Sequence, residues 1–262
     1  MMQMKKMVTF CFAVLFFLSL PNYSFPQPQD WSFSNGLKIK PGAHFEYFSR
    51  MMTWDDDQHT SELKSYIFAL NIEFEINEGF SISALAGYTL SNYDSLVFRQ
   101  LPFSVELDVG DVGGYIIGAE ARKSLLNTDA IEFGLYGQFL YHIGKEKKWD
   151  IPGLSVSGTL TGKPTWMRAA VGPYFSLTNL GAFAPYLSVR YNKLWGKFEI
   201  KQAIQTLKGT EEKDLQSKSV IDVTLGSILT LTDNFFFKGE VHILPHSDGM
   251  DLGFVAIAAF SF

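Results

Sequence analysis

Residues 66–76, YIFALNIEFEI, carry apolar side chains at every second position: Tyr66, Phe68, Leu70, Ile72, Phe74 and Ile76 share one parity, while Ala69, Asn71, Glu73 and Glu75 share the other. Period-two alternation is the pattern of an extended strand, whose successive side chains point to opposite faces. The next stretch, FSISALAGYTL, repeats it, with Phe80, Ile82, Ala84, Ala86, Tyr88 and Leu90 set against Ser81, Ser83, Gly87 and Thr89. Only Asn77, Glu78 and Gly79 lie between the two, which reads as a tight hairpin turn.

The same reading along the chain gives about ten strands, near 37–48, 65–77, 80–93, 112–125, 130–143, 166–177, 183–197, 218–231, 235–244 and 250–262. Their connections alternate strictly. Short turns (NEG, LLNTD, TNLGA, TDN) follow the even-numbered strands, and long polar stretches at 49–64, 94–112, 144–165 and 193–218 follow the odd-numbered ones. Beyond residue 30 no apolar run approaches the ~20 residues of a spanning helix. A membrane solution would therefore be a closed barrel, which satisfies every backbone polar group within itself. The expected fold is all-β, a single antiparallel transmembrane β-barrel of about ten strands (within roughly 8 to 12), with short periplasmic turns and long extracellular loops. Tyr47, Tyr66, Tyr88, Tyr115, Tyr141, Tyr191 and Trp195 fall at the long-loop ends, and Phe80, Phe133, Phe235, Phe237, Phe260 and Phe262 beside the short turns, as two interfacial aromatic girdles would. A secreted soluble barrel of lipocalin type shares the alternation with the sign of its faces reversed. The girdles and the loop asymmetry favour the membrane form.

The amino-terminus reads as a secretory signal. Lys5 and Lys6 precede the apolar run MVTFCFAVLFFLSL, and PNYSFPQPQ follows as a polar exit. The expected organisation is a signal peptide at 1–25, a periplasmic segment at 26–36 and the barrel at 37–262. Cys11, the only cysteine, lies inside the apolar run, so the mature chain has no thiol chemistry. The net charge of −5, with no basic stripe, argues against nucleic acid as a partner.

The chain ends LGFVAIAAFSF, a terminal Phe262 preceded at alternate positions by Phe260, Ala258, Ala256 and Phe254. This resembles the carboxy-terminal assembly signal of Gram-negative outer-membrane β-barrel proteins. The resemblance implies that Phe254, Phe260 and Phe262 are read by the barrel-assembly machinery after Sec-type export. It also implies a place in the bacterial outer membrane, among its lipids and lipopolysaccharide.

The inward parity carries both signs of charge: Glu73, Glu75, Glu120, Arg122, Glu132, Arg168, Arg190, Asp222, Lys238 and Glu240 are the expected lumen-lining set, with Lys38, Lys40, His44, Glu46, His142 and His242 beside them. In a barrel of about ten strands such charges pair across a narrow interior. The leading expectation is thus a plugged, non-enzymatic structural or surface-interaction protein, with a narrow solute or ion channel as the alternative. The long loops would hold any extracellular ligand. The alternation continues through Leu96 and Phe98, turns at RQLP and returns as Phe103, Val105, Leu107 and Val109 on the parity of Tyr115, suggesting a projecting hairpin. KQAIQTLKG, 201–209, suggests a short helix in a second projection.

Tall hairpins on about ten strands resemble omptins, the outer-membrane proteases. That resemblance implies an Asp–Asp pair facing an Asp–His pair, for which Asp56, His59, His246 and Asp248 are the weak candidates. The surrounding sequence does not follow the omptin pattern. Ser247 beside His246 similarly brings a lipid-modifying barrel enzyme into consideration. No metal site and no cofactor is expected.

Overall fold

The computed structural model describes residues 38–54, 57–77, 79–94, 96–151, 158–232 and 234–261, with backbone alone at 57–59. The elements are all strands: β1 (Lys38–Trp54), β2 (Asp57–Asn77), β3 (Phe80–Tyr93), β4 (Leu96–Phe98), β5 (Val105–Leu107), β6 (Gly110–Asn127), β7 (Ile131–Gly144), β8 (Lys147–Asp150), β9 (Gly158–Leu177), β10 (Phe183–Ile204), β11 (Leu207–Ser217), β12 (Ile221–Thr232), β13 (Phe235–His246) and β14 (Gly249–Phe260). Ten of them close a ring in the order β1–β2–β3–β6–β7–β9–β10–β12–β13–β14 and back to β1. Each neighbouring pair is antiparallel, including the closing pair, in which Tyr47 lies opposite Phe254. Closure leaves no unpaired sheet edge around the wall.

The alternation sets the sign of the faces. Leu70 (70% exposed) and Val171 (57%) point outward, whereas Glu46, Arg168 and Arg190 are buried in the lumen. A closed barrel with an apolar outside and a charged inside is a transmembrane β-barrel. At the loop end the outward tyrosines meet across register, Tyr47 with Tyr66 at 4.9 Å between ring centroids and Tyr88 with Tyr115 at 6.0 Å. At the turn end Phe235 meets Phe260 at 4.7 Å. Phe262 lies outside the described residues, as do residues 1–37 with the signal and periplasmic segments.

The loop end departs from the sequence expectation. Much of what reads as polar loop is strand: β1 runs to Trp54, β9 begins at Gly158 and β10 runs to Ile204. No helix forms at 201–209. There β10 turns at Gln205, whose φ is 52°, and returns as β11, with Ile204 opposite Leu207 and Trp195 opposite Gln216. The physical reason is burial: Phe198, Ile200, Gln202 and Ile204 alternate inward, so period two continues where helix propensity alone misleads.

β11 also reorganises the wall. β1 pairs with β14 as far as Phe48–Gly253 and then with β11 from Met52–Ser217. Likewise β10 leaves β12 at Tyr191–Ile221 and takes β11 from Trp195–Gln216. Above the membrane belt one strand thus replaces β12, β13 and β14, and the wall narrows to a collar. Backbone groups stranded at this step find partners, as buried N–H groups must. Met51 N donates to Asp251 Oδ1 (3.0 Å), Leu194 N to Ser217 Oγ (3.1 Å) and Lys218 N to Met51 O (2.9 Å).

Candidate functional site

In the lumen, charged and polar side chains converge from the strands of the wall, and it is built in layers. The lowest, open toward the short turns, is a vestibule of about 490 Å³. The β1–β2 register places Lys40 opposite Glu73 and Lys38 opposite Glu75. Lys40 Nζ lies 3.3 Å from Glu73 and 3.0 Å from Glu75, and Lys38 Nζ 3.5 Å from Glu75. On the opposite side Arg122 pairs with Glu132 at 3.0 Å, and Tyr174 donates its hydroxyl to Glu132 at 2.5 Å. Guanidinium groups stack on tyrosines here, Arg122 on Tyr174 at 4.1 Å and Arg190 on Tyr136 at 3.9 Å.

Above it lies a tightly paired layer of cross-lumen contacts. Arg168 grips Glu46 with both terminal nitrogens, the Nη2–Oε2 contact being 2.9 Å, and donates to Gln138 Oε1 at 2.9 Å. Gln138 in turn donates to Glu120 at 2.5 Å. A second group centres on Glu240, which takes Lys238 Nζ at 2.9 Å, Arg190 Nη2 at 3.5 Å, His242 Nε2 at 3.1 Å and the Tyr186 hydroxyl. His242 Nδ1 reaches Asp222 at 3.0 Å, and Asn192 donates to the same carboxylate at 2.8 Å. Arg50 completes the layer with Nε and Nη1 unpaired by protein, beside a void of about 10 Å³, room for one water. All ten residues expected in the lumen lie on the inner face, divided between these two layers.

The third layer is apolar, and the sequence expectation of a charge-filled lumen misses it. Phe48, Met52, Leu140, Trp166, Leu194 and Phe198 belong to one buried cluster that fills the loop-end half of the interior. Trp166 is stacked on His142 at 4.8 Å and met edge-on by Phe48 at 5.6 Å. Fully burying each large apolar side chain contributes about 1.5–3 kcal/mol, so this layer also anchors the loop end.

The hairpin of β4 and β5 caps that layer. It does not project upward as the sequence suggests: it folds inward from the β3–β6 side to the β10–β11 side. Phe98 packs on Phe198 with centroids 5.8 Å apart. The tip is held by side chains: Arg99 N and Gln100 N donate to the Glu211 carboxylate (3.4 and 2.8 Å), and Phe103 N to Gln202 Oε1 (3.0 Å). Lys147 Nζ ties down its base through Val109 O at 2.7 Å and Asp111 O at 3.0 Å. The signal for an inward fold was present in the apolar parity of Leu96, Phe98, Leu107 and Val109, all buried.

The weak catalytic candidates divide. Asp56 and the side chain of His59 lie outside the described residues. His246 and Asp248 share the β13–β14 turn, but their side chains already have partners. His246 Nε2 lies 3.4 Å from Asp251, and Asp248 receives Lys218 Nζ. That hydrogen bond from Lys218 holds the exposed Asp248 carboxyl below its ordinary pKa. Among the described residues no three His, Cys, Asp or Glu side chains gather as a metal set.

No protein-family model matches the chain, and no curated protein matches it. Among solved structures it is similar to the outer membrane protease OmpT from Escherichia coli (10% identity over 86% of this chain and 95% of that one, TM-score 0.45). It is also similar to the translocator domain of the autotransporter NalP from Neisseria meningitidis (9% identity, 86% and 88%, TM-score 0.47). A third is Ail, the attachment invasion locus protein of Yersinia pestis (11% identity, 86% and 97%, TM-score 0.35). The closed ladder, not these likenesses, establishes the barrel.

Proposed function

We propose that this chain is a non-enzymatic outer-membrane protein of a Gram-negative envelope. It is exported by its amino-terminal signal, assembled through its last strand, and set with the collar outward. In this reading the barrel is a rigid post rather than a conduit, and the collar is the surface that meets an extracellular partner or buttresses the envelope. The observation that carries it is the seal at the loop end: apolar side chains fill that half of the lumen and the β4–β5 hairpin covers them. A water path needs continuous polar lining or bare space, and the buried cluster around Trp166 sets apolar side chains across that route instead. The engaged side chains of His246 and Asp248 further support a role without turnover.

The test is conductance of the refolded mature chain, residues 26–262, in a planar lipid bilayer. Folding is checked first by the mobility difference between heated and unheated samples on a detergent gel. Silence from folded protein is expected. Stable, reproducible steps would overturn the closed-post reading in favour of a narrow channel.

A further inference from the structure

The outer face of the collar carries lysines that the interior networks do not use. On β7 the lipid-facing column Leu135, Phe139, Ile143 ends at the tyrosine level, and the next residue of that parity is Lys145. Its Nζ stands 5.0 Å from the ring of Tyr88 and 4.9 Å from that of Tyr115. Ile143 is opposite Thr165 on β9, so two residues further on Lys145 comes beside Lys163, exposed on the same face. Lys148 on β8 is exposed opposite Thr161, again on that face.

Three other collar lysines are paired instead. Lys64 has Glu62 at 2.5 Å, Lys197 has Glu212 at 2.5 Å, and Lys201 has Glu199 at 2.9 Å. Among the described residues no carboxylate pairs with Lys145, Lys148 or Lys163. Glu146 and Asp150 stand in the same segment without engaging them, Glu199 lies opposite Lys163 on β10 but is taken by Lys201, and residues 152–157, PGLSVS, contain no acid. Strand spacing of about 4.8 Å and two-residue steps of roughly 6.7 Å bring three flexible ammonium groups within reach of one or two phosphates.

We propose that Lys145, Lys148 and Lys163, above the Tyr88–Tyr115 pair, bind the phosphates of a phosphorylated lipid headgroup in the leaflet at the loop end. The proposal rests on the reading that the barrel spans a bilayer with the collar above it. The height of the patch selects a lipid over a soluble polyanion. Lys145 lies on two outward tyrosines that end the apolar belt, which is where a headgroup meets the acyl region. Cations at such a surface act roughly additively, each raising affinity about fivefold at moderate salt, and the effect weakens as salt screens it.

The test is native mass spectrometry of the refolded chain in detergent, counting adducts of diphosphoryl lipid A against its dephosphorylated form. Preferential retention of the phosphorylated lipid is expected. The variant K145Q/K148Q/K163Q should lose that preference by roughly a hundredfold, and K197Q/K201Q/K208Q should keep it. Equal retention of both lipids, or an unchanged triple variant, overturns the proposal. So does inorganic polyphosphate that displaces the lipid equally well and binds the wild type in its absence, since the patch would then serve a soluble polyanion. Failure of the membrane reading would register separately, as protein with no heat-modifiable fold in detergent.

Discussion

Arg168 on β9 and Glu46 on β1 meet across the full width of the barrel. Five strand-to-strand steps separate β1 from β9 in either direction around the ring of ten, yet the guanidinium holds both carboxylate oxygens. The contact ties opposite walls together at one height, and no sequence-local signal pairs residues 122 positions apart.

Breaking this clamp on one side should be costly, because the remaining charge stays buried: Glu46 and Arg168 are 2% and 4% exposed. We expect Glu46→Gln and Arg168→Met each to destabilise the barrel by about 3–5 kcal/mol, whereas the double variant Glu46→Leu/Arg168→Met should recover most of that loss. Urea unfolding in lipid vesicles, followed by tryptophan fluorescence, measures all three. A double variant as unstable as the sum of the singles would show that the two side chains contribute independently and that no clamp couples them.

The layered lumen predicts one-sided access. Cys11 is the chain's only cysteine, so residues 26–262 give a thiol-free background. Lys40→Cys and Glu75→Cys line the vestibule and should react with a membrane-impermeant thiol reagent supplied from the turn side of oriented vesicles. Met52→Cys, in the apolar cluster, should stay unlabelled from both sides. Rapid labelling of Met52→Cys would mean that water crosses the seal.

The wall was legible in the sequence because lipid imposes one strict rule on it: Phe68, Leu70 and Ile72 must alternate with groups that face the lumen, and a single residue's slip would reverse every one. That rule lapses above the membrane. Phe198 and Ile200 alternate among lysines and glutamates, and their buried face became evident only once β9 and β11 flanked them. The substitution of β11 for three strands has no local sequence mark at all, since it depends on long-range pairings such as Met52 with Ser217. Charge parity located the lumen set, but pairing across the ring, as in Glu46 with Arg168, could not be read from spacing.

The seat of the β4–β5 hairpin offers a test that leaves the wall intact. A Cβ placed on Gly209 would come within 2.3 Å of Pro102 Cδ at the hairpin tip, and Glu211 accepts from the Arg99 and Gln100 amides. Gly209→Val and Glu211→Ala should therefore both lift the tip. The readout is tryptic cleavage after Arg99 in folded, detergent-solubilised protein: slow in the wild type, and at least about tenfold faster in either variant if the local opening free energy falls by about 1.4 kcal/mol. Equal cleavage rates in all three would mean that the hairpin is held by its apolar side chains alone.

The Lys218–Asp248 contact at the collar gives a pH signature with a definite sign. The hydrogen bond from Lys218 lowers the folded-state pKa of Asp248, so its contribution to stability is present above the ordinary aspartate value of about 3.9. It is lost as pH falls through the lower folded-state value. Carbon-13 carboxyl titration of the folded protein should place the Asp248 midpoint below the ordinary value, and Lys218→Gln should return it upward. Because the group is fully exposed, added salt should move the wild-type midpoint in the same upward direction by screening the pair. A midpoint indifferent to both Lys218→Gln and salt would mean that the pair does not persist in solution, leaving the β13–β14 turn to be held by His246 and Asp251.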